Sequence, residues 1–376
     1  MVLQRRQNRR LRLVLRLPLP AALALGLCLL AAFGPVGAVG QSGKLLFDDQ
    51  RLSEDIVLPD WFKLSFLDLR DDLDEAIAAG KRGLIVYFGQ KDCPYCKAHL
   101  ENNWGNKDIV AYTRKYFDVV AIDVRGQRLV TDMDGIVSTE KALAIREKTN
   151  FTPSIVFYNK DAREVLRLSG YHPPYQFSAA LEYVADAHYR RESFRHYLAR
   201  AELATGYGQD ELNDQEFFAK PPYNLDRSRF RAEQPLVVFF EQRHCHACDV
   251  LHGGVFQRPA IRKLLRRFEA VQLDMWADTP VVTPAGRKTT ARQWADNLGL
   301  YYAPTLIFYD ERGREIIRVD SVVQFNRLRG VLDYVLSGDF RHQPNFQLWR
   351  QQRGHSEQGG DRGTSAAGKD AAAGHP

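Results

Sequence analysis

The sequence predicts two tandem α/β domains, each a central mixed sheet flanked by helices, and three observations carry that prediction. An apolar five-residue run occurs twice, as Leu84 to Phe88 and as Leu236 to Phe240. Five residues after the end of each run stands the first cysteine of a Cys-x-x-Cys pair, Cys93/Cys96 in one copy and Cys245/Cys248 in the other. Downstream, the run from Thr152-Pro153 to Tyr158 matches the run from Ala303-Pro304 to Tyr309. Partner numbers differ by 152 at the cysteines (93 to 245) and by 151 at the prolines (153 to 304), so the chain is duplicated with one loop deletion.

Residues 1–40 precede the first copy. They hold six arginines and no Asp or Glu, an apolar run from Leu17 to about Ala32, and small residues around Gly37, Ala38 and Gly40. That is the pattern of a cleaved signal peptide. A membrane anchor is the alternative, but the run is short and contains Pro18 and Pro20. The whole chain has 52 Lys or Arg against 46 Asp or Glu, and without the six leader arginines the two signs balance. The net charge of +6 therefore belongs to the leader and gives no support for nucleic-acid binding.

The first domain is expected over 45–205. Leu69, Leu73 and Ile77 recur every fourth residue between Asp68 and Ala79, which predicts a helix stopped at Gly80. The run Leu84 to Phe88 is β-branched and aromatic, as a buried central strand requires. Tyr95 and Leu100 lie on a helix broken near Gly105, and a second strand ends at Asp123. The stretch from Gly126 to Val137 reads as a surface insertion, followed by a short helix ending at Asn150-Phe151. A Pro-led strand, a turn at Asn159 to Asp161, a strand over Glu164 to Leu168 and a helix over Gln176 to Tyr189 complete the unit. Arg191 to Thr205 reads as a helical connector, the second domain repeats the pattern over 211–350, and 351–376 has the composition of a disordered tail.

Cys28 is expected to leave with the leader, so four cysteines remain, all of them in the two pairs. A structural disulfide gains most by closing a long loop, and a four-residue loop closes almost nothing. Chemistry is the better account of such pairs. A cysteine where a strand gives way to a helix lies near unpaired backbone N–H groups and the positive end of the helix dipole, which favour its thiolate. Lowering the thiol pKa from about 8.5 to about 6 raises the thiolate fraction at neutral pH about 30-fold, offset by an about 13-fold loss of nucleophilicity. The main consequence is a better leaving group and a more stable reduced form.

The sequence Asp92-Cys93-Pro94-Tyr95-Cys96-Lys97, together with Thr152-Pro153 and Ser169-Gly170-Tyr171, resembles the thioredoxin superfamily, and most of all its periplasmic SoxW-type thioredoxins. The resemblance implies tandem thioredoxin-like domains with thiol:disulfide oxidoreductase activity. It implies Cys93 and Cys245 as attacking thiols and Cys96 and Cys248 as resolving thiols. It also implies that Pro153 and Pro304 are cis, and that Thr152 and Ala303 offer backbone groups to an extended substrate. Client proteins with thiols or disulfides are the implied partners, a membrane thiol-disulfide donor is a further candidate, and no cofactor is implied. Two departures stand out: the family's Trp before the first cysteine is Asp92 or His244, and its buried acid six residues earlier is Tyr87 or Phe239.

The second pair also admits a different chemistry. His244, His246 and His252 surround Cys245 and Cys248 in sequence, and thiolate plus imidazole is a zinc or copper donor set. A metal-binding or metallochaperone role is the resulting alternative, and a non-catalytic protein-binding use of the fold is another. Tyr171 and His172 read as a loop aromatic and a solvated histidine, and Lys97 as a solvated helix residue.

Overall fold

The two apolar runs become the central strands of two four-stranded sheets in a computed structural model, which describes residues 45–202 and 211–353. The expected signal peptide over 1–40 and most of the expected tail lie outside the described residues. In the first half the elements are α1 (Leu69–Ala78), β1 (Gly83–Gly89), α2 (Pro94–Asn102), α3 (Lys107–Tyr116), β2 (Phe117–Asp123), β3 (Leu129–Thr131), β4 (Val137–Thr139), α4 (Glu140–Arg146), β5 (Ser154–Asn159), β6 (Glu164–Ser169) and α5 (Pro174–Ala185). The connector helix α6 (Phe194–Glu202) follows. The second half contains β7 (Tyr223–Asn224), β8 (Leu236–Glu241), α7 (His246–Gly253), α8 (Pro259–Leu265), β9 (Glu269–Asp274), β10 (Pro280–Val282), β11 (Lys288–Thr290), α9 (Ala291–Asn297), β12 (Thr305–Tyr309), β13 (Glu315–Val319) and α10 (Phe325–Ser337). Residues 346–353 form a last helical segment, reaching three residues into the stretch whose composition reads as structureless.

The sheets have the same order, β2-β1-β5-β6 and β9-β8-β12-β13. In each, the strand before the cysteines runs parallel to one neighbour and antiparallel to the other. Their registers agree residue for residue: Val86 stands opposite Val120 and Val156, and Val238 opposite Val271 and Ile307. Both faces of β1 and β8 are covered, which explains why their sequences are continuous apolar runs and not alternating ones. Ile85 and Tyr87 face one core layer while Leu84, Val86 and Phe88 face the other, as the two-residue period of a strand dictates. The insertion from Gly126 to Val137 carries the β3–β4 hairpin, and its counterpart carries β10, which pairs with β11 and with the short β7.

The halves pack against each other about related residues. Val322 N–H donates to the Tyr171 carbonyl at 3.0 Å, and these two residues differ in number by the repeat offset. Phe151 packs into the core of the second half, and its equivalent Tyr302 packs into the core of the first. Arg195 of the connector donates to the Leu300 and Met275 carbonyls at 2.7 and 2.6 Å and lies 3.7 Å from the centre of the Trp276 ring. This packing corrects the expectation for Tyr171 and His172, which are both buried, because the loop that carries them lies in the contact between the halves. His172 Nε2 is 2.9 Å from the Asp320 carbonyl. Burial lowers its pKa to about 4, so at neutral pH it is an uncharged interface residue.

Replacing Phe151 by Ala removes a fully buried ring from the contact and should cost about 3–5 kcal/mol in urea unfolding. Leu64→Ala, at a fully exposed position, should change stability by less than about 0.5 kcal/mol in the same measurement.

Candidate functional site

Each Cys-x-x-Cys pair sits where the central strand turns into a helix. Cys93 is the N-cap of α2, with Pro94 in the first turn, and its sulfur accepts the Cys96 N–H at 3.0 Å. Cys245 is the N-cap of α7, and its sulfur lies 3.1 Å from the donating Cys248 N–H. Proline suits the first helical turn because its missing N–H would have had no partner there. The structure shows the first pair as two thiols and the second as a disulfide.

Thr152–Pro153 and Ala303–Pro304 are both cis and both reach the cysteines. Cys93 Sγ is 3.5 Å from the Thr152 carbonyl and 3.3 Å from its hydroxyl. Cys245 Sγ is 3.5 Å from the Ala303 carbonyl. All eight residues expected at the two sites are thus gathered four by four, one set in each half. Thr152 is fully buried, however, and its carbonyl also accepts a hydrogen bond from Arg327 Nη2 at 2.8 Å. In this arrangement the backbone oxygen expected to meet a substrate is held by the second half.

The two thiols of the first pair differ in acidity. Burial alone would raise the Cys93 pKa, but a hydrogen bond with Cys96, the Arg327 charge and the Thr152 hydroxyl bring it down to about 7. Burial, reinforced by the neighbouring Cys93, pushes Cys96 well above its ordinary value. Relative to an ordinary 9.0, a pKa of about 7 raises the thiolate fraction at pH 7 about 50-fold and lowers nucleophilicity about eightfold, a net gain of about sixfold. Attack by Cys93 and resolution by Cys96 is the order these acidities favour.

Tyr87 occupies the place of the family's buried acid. It hydrogen-bonds Cys96, and burial with the adjacent thiols raises its own pKa well above normal, so it stays a neutral phenol. Gly89 leaves room for the ring, since a Cβ there would lie 2.5 Å from it. Asp92 is half-buried. Burial would raise its pKa, but hydrogen bonds from Arg125, at 2.9 Å, and from Arg51 outweigh that and hold it below the usual carboxylate range.

Sequence reasoning missed three groups. Arg327 of α10 stacks on Tyr95 at 3.2 Å from the ring centre, directly beside the first pair. Its signal was an arginine among the buried positions Leu328, Val331 and Leu332 of an otherwise apolar stripe. Asp49 caps α10 from a distant part of the chain, accepting the Asn326 and Arg327 N–H groups at 2.9 and 2.7 Å and the Tyr95 hydroxyl at 2.8 Å. In the second half, Glu241 is fully buried and 2.8 Å from His252 Nε2, while Gln215 is 3.2 Å from its Nδ1. His252, considered above as a metal donor beside Cys245, is therefore committed to the core, because on α7 it follows Cys248 by one turn on the inward face. His244 and His246 are exposed, and among the described residues no three His, Cys, Asp or Glu side chains gather as a metal site. Lys97 is exposed and paired with Glu101, as a solvated helix residue should be.

A strand, an N-capping cysteine, a second cysteine one turn on and a cis-proline whose preceding residue reaches the first sulfur define a thioredoxin-fold protein with two Cys-x-x-Cys pairs. The chain belongs to the thioredoxin-like domain family, whose model matches 69–185 and 228–336, together more than half its length. No curated protein matches it. Among solved structures it is similar to a thioredoxin-fold protein from Helicobacter pylori, at 23% identity over 39% of this chain and 89% of that one, with a TM-score of 0.30. It is similar also to a thioredoxin from Thermus thermophilus, at 27% identity over 30% of this chain and 81% of that one, with a TM-score of 0.25. A protein disulfide oxidoreductase from Aeropyrum pernix matches at 12% identity over 74% of this chain and 95% of that one, with a TM-score of 0.23.

The ultraviolet absorbance of thiolate in the reduced protein should rise with a midpoint near pH 7 from Cys93. The Cys96 thiolate should form only above pH 9.0, so a Cys93→Ser chain should lose the lower step alone.

Proposed function

We propose that this protein is a thiol:disulfide oxidoreductase that exchanges disulfides with client proteins through its two Cys-x-x-Cys pairs. The observation that carries this reading is the unequal acidity of Cys93 and Cys96 at a helix start facing a cis-proline. In the reducing direction, the Cys93 thiolate attacks a client disulfide, forming a mixed disulfide and releasing one client thiolate. Cys96 then loses its proton, attacks Cys93 sulfur and releases the second client thiolate, so two electrons pass to the client and the pair becomes a disulfide. The oxidising direction is the reverse of each step. The same roles fall to Cys245 and Cys248, with Thr152, Pro153, Ala303 and Pro304 shaping the ground on which an extended client segment would lie.

Transfer between the two pairs is part of the reading. Ala247, between Cys245 and Cys248, packs on the core cluster that contains Cys93, Tyr95 and Cys96. The first pair is nearly sealed and the second slightly more open, with Cys93 1% and Cys245 7% exposed. That contrast favours the second pair as the one that meets clients while the halves stay docked. An exported, periplasmic location and a SoxW-type role fit the leader composition and the need of a disulfide for an oxidising compartment. Among the described residues no helix is long and apolar enough to cross a membrane.

Reduction of a disulfide-bonded model protein such as insulin by dithiothreitol should be accelerated by the protein. Cys245→Ser should abolish most of that acceleration, and Cys96→Ser should accumulate a mixed disulfide at Cys93, resolved by mass spectrometry, either with a client or with Cys245. Full acceleration by a chain lacking all four cysteines of the two pairs would overturn the proposal.

A further inference from the structure

Arg327 is 2% exposed, and its guanidinium makes one hydrogen bond, to the Thr152 carbonyl. Among the described residues its Nε and Nη1 have no hydrogen-bond partner and it forms no ion pair. The nearby Asp49 carboxylate is spent on the backbone N–H groups of α10, on the Asn326 side chain and on the Tyr95 hydroxyl. An unpaired buried cation is strongly disfavoured by lost hydration unless an anion answers it. Against the same Thr152 carbonyl lies the sulfur of Cys93, whose thiolate can be that anion.

We propose that Arg327, carried by the second half, is a positioning residue of the first redox centre, supplying the fixed positive charge that holds Cys93 as its thiolate. The inference rests on the reading of Cys93 as the attacking thiol. Its pseudo-equivalent in the first half is Gln176, a neutral residue at the same helix position, so at this position the two halves differ: the second carries a cation and the first does not. Docking thus does two things to the first centre at once. It covers Cys93, which by itself would make the thiol less acidic, and it brings a charge that, with the Cys96 hydrogen bond, opposes that effect. A solitary first half would have neither the cover nor the cation.

The groups packed around Cys93 and Arg327 come from several elements. Cys96 and Tyr95 belong to α2, Tyr87 to β1, Thr152 precedes β5, Asp49 lies on the segment before α1, and Arg327 belongs to α10. Arg350, in the helical segment 346–353, is a second cation whose charge is felt at Cys93. Asp92 precedes Cys93 but its carboxylate is neutralised by Arg51 and Arg125. Tyr87, Tyr95 and Cys96 are held neutral at pH 7, so the signs that matter there are the arginines against Asp49 and the thiolate.

The test is a pH titration of thiolate absorbance in the full chain carrying Cys245→Ser and Cys248→Ser, read as the difference from the same chain with Cys93→Ser added. The parent should titrate near pH 7. Arg327→Gln should raise the midpoint by about one unit, which lowers the thiolate fraction at pH 7 about fivefold. Arg327→Lys, which keeps the charge, should stay within about threefold of the parent. Ionisation then stabilises the reduced form about 1.8-fold less at pH 7, so the Cys93–Cys96 pair of Arg327→Gln should become more reducing by about 8 mV. An unchanged midpoint in Arg327→Gln would overturn the proposal. So would a midpoint that falls while Cys93 becomes open to a bulky maleimide, since that is the signature of a residue that only holds the halves together. The titration does not require turnover, so a pair that fails to cycle would sink the proposed function while leaving this result to be judged separately.

Discussion

The first cysteine of each pair is also the N-cap of a helix, and the rest of the site follows from that constraint. A helix leaves its first N–H groups without partners. Here the sulfur of Cys93 or Cys245 takes one of them. The same bond that caps the helix therefore fixes the sulfur, stabilises negative charge on it, and brings the second cysteine to within one turn. β1 and β8 place that helix start at the end of the sheet, and the cis-prolines of the neighbouring strand close the other side.

Duplication then adds something a single domain lacks. The halves exchange equivalent aromatics, Phe151 and Tyr302, and meet at Tyr171 and Val322. Because the related residues surround related sites, both cysteine pairs lie at the contact. The two sites have diverged there. The first is covered, carries Tyr87 next to Cys96 and receives Arg327. The second keeps a buried Glu241–His252 pair under its helix and presents His244 and His246 outward. A shared scaffold with different charges around the sulfur is the arrangement expected of two centres with different potentials.

Much of this was legible in the sequence for local reasons. Continuous β-branched and aromatic runs can only be central strands, the cysteines mark the strand-to-helix turn, and Thr152-Pro153 and Ala303-Pro304 announce themselves by repetition. What escaped was long-range. Tyr171 and His172 look like loop residues until a second domain is laid on them, and Asp49 caps a helix that begins at Phe325, far along the chain. The two-residue strand Tyr223–Asn224 has no periodicity to betray it. His252 was weighed as a ligand by its nearness to cysteine in sequence, whereas the helical turn between them points it to Glu241. Arg327 was hidden by the apolar pattern of its own helix, which marked the face as buried without saying that a charge belonged there.

The most direct test is an equilibrium redox titration of the purified protein in dithiothreitol buffers, with each cysteine pair followed separately by mass after thiol capture. Both pairs should pass reversibly between dithiol and disulfide as two-electron couples, at distinguishable potentials. Cysteines that stay in one state across the whole range of buffers would contradict the account.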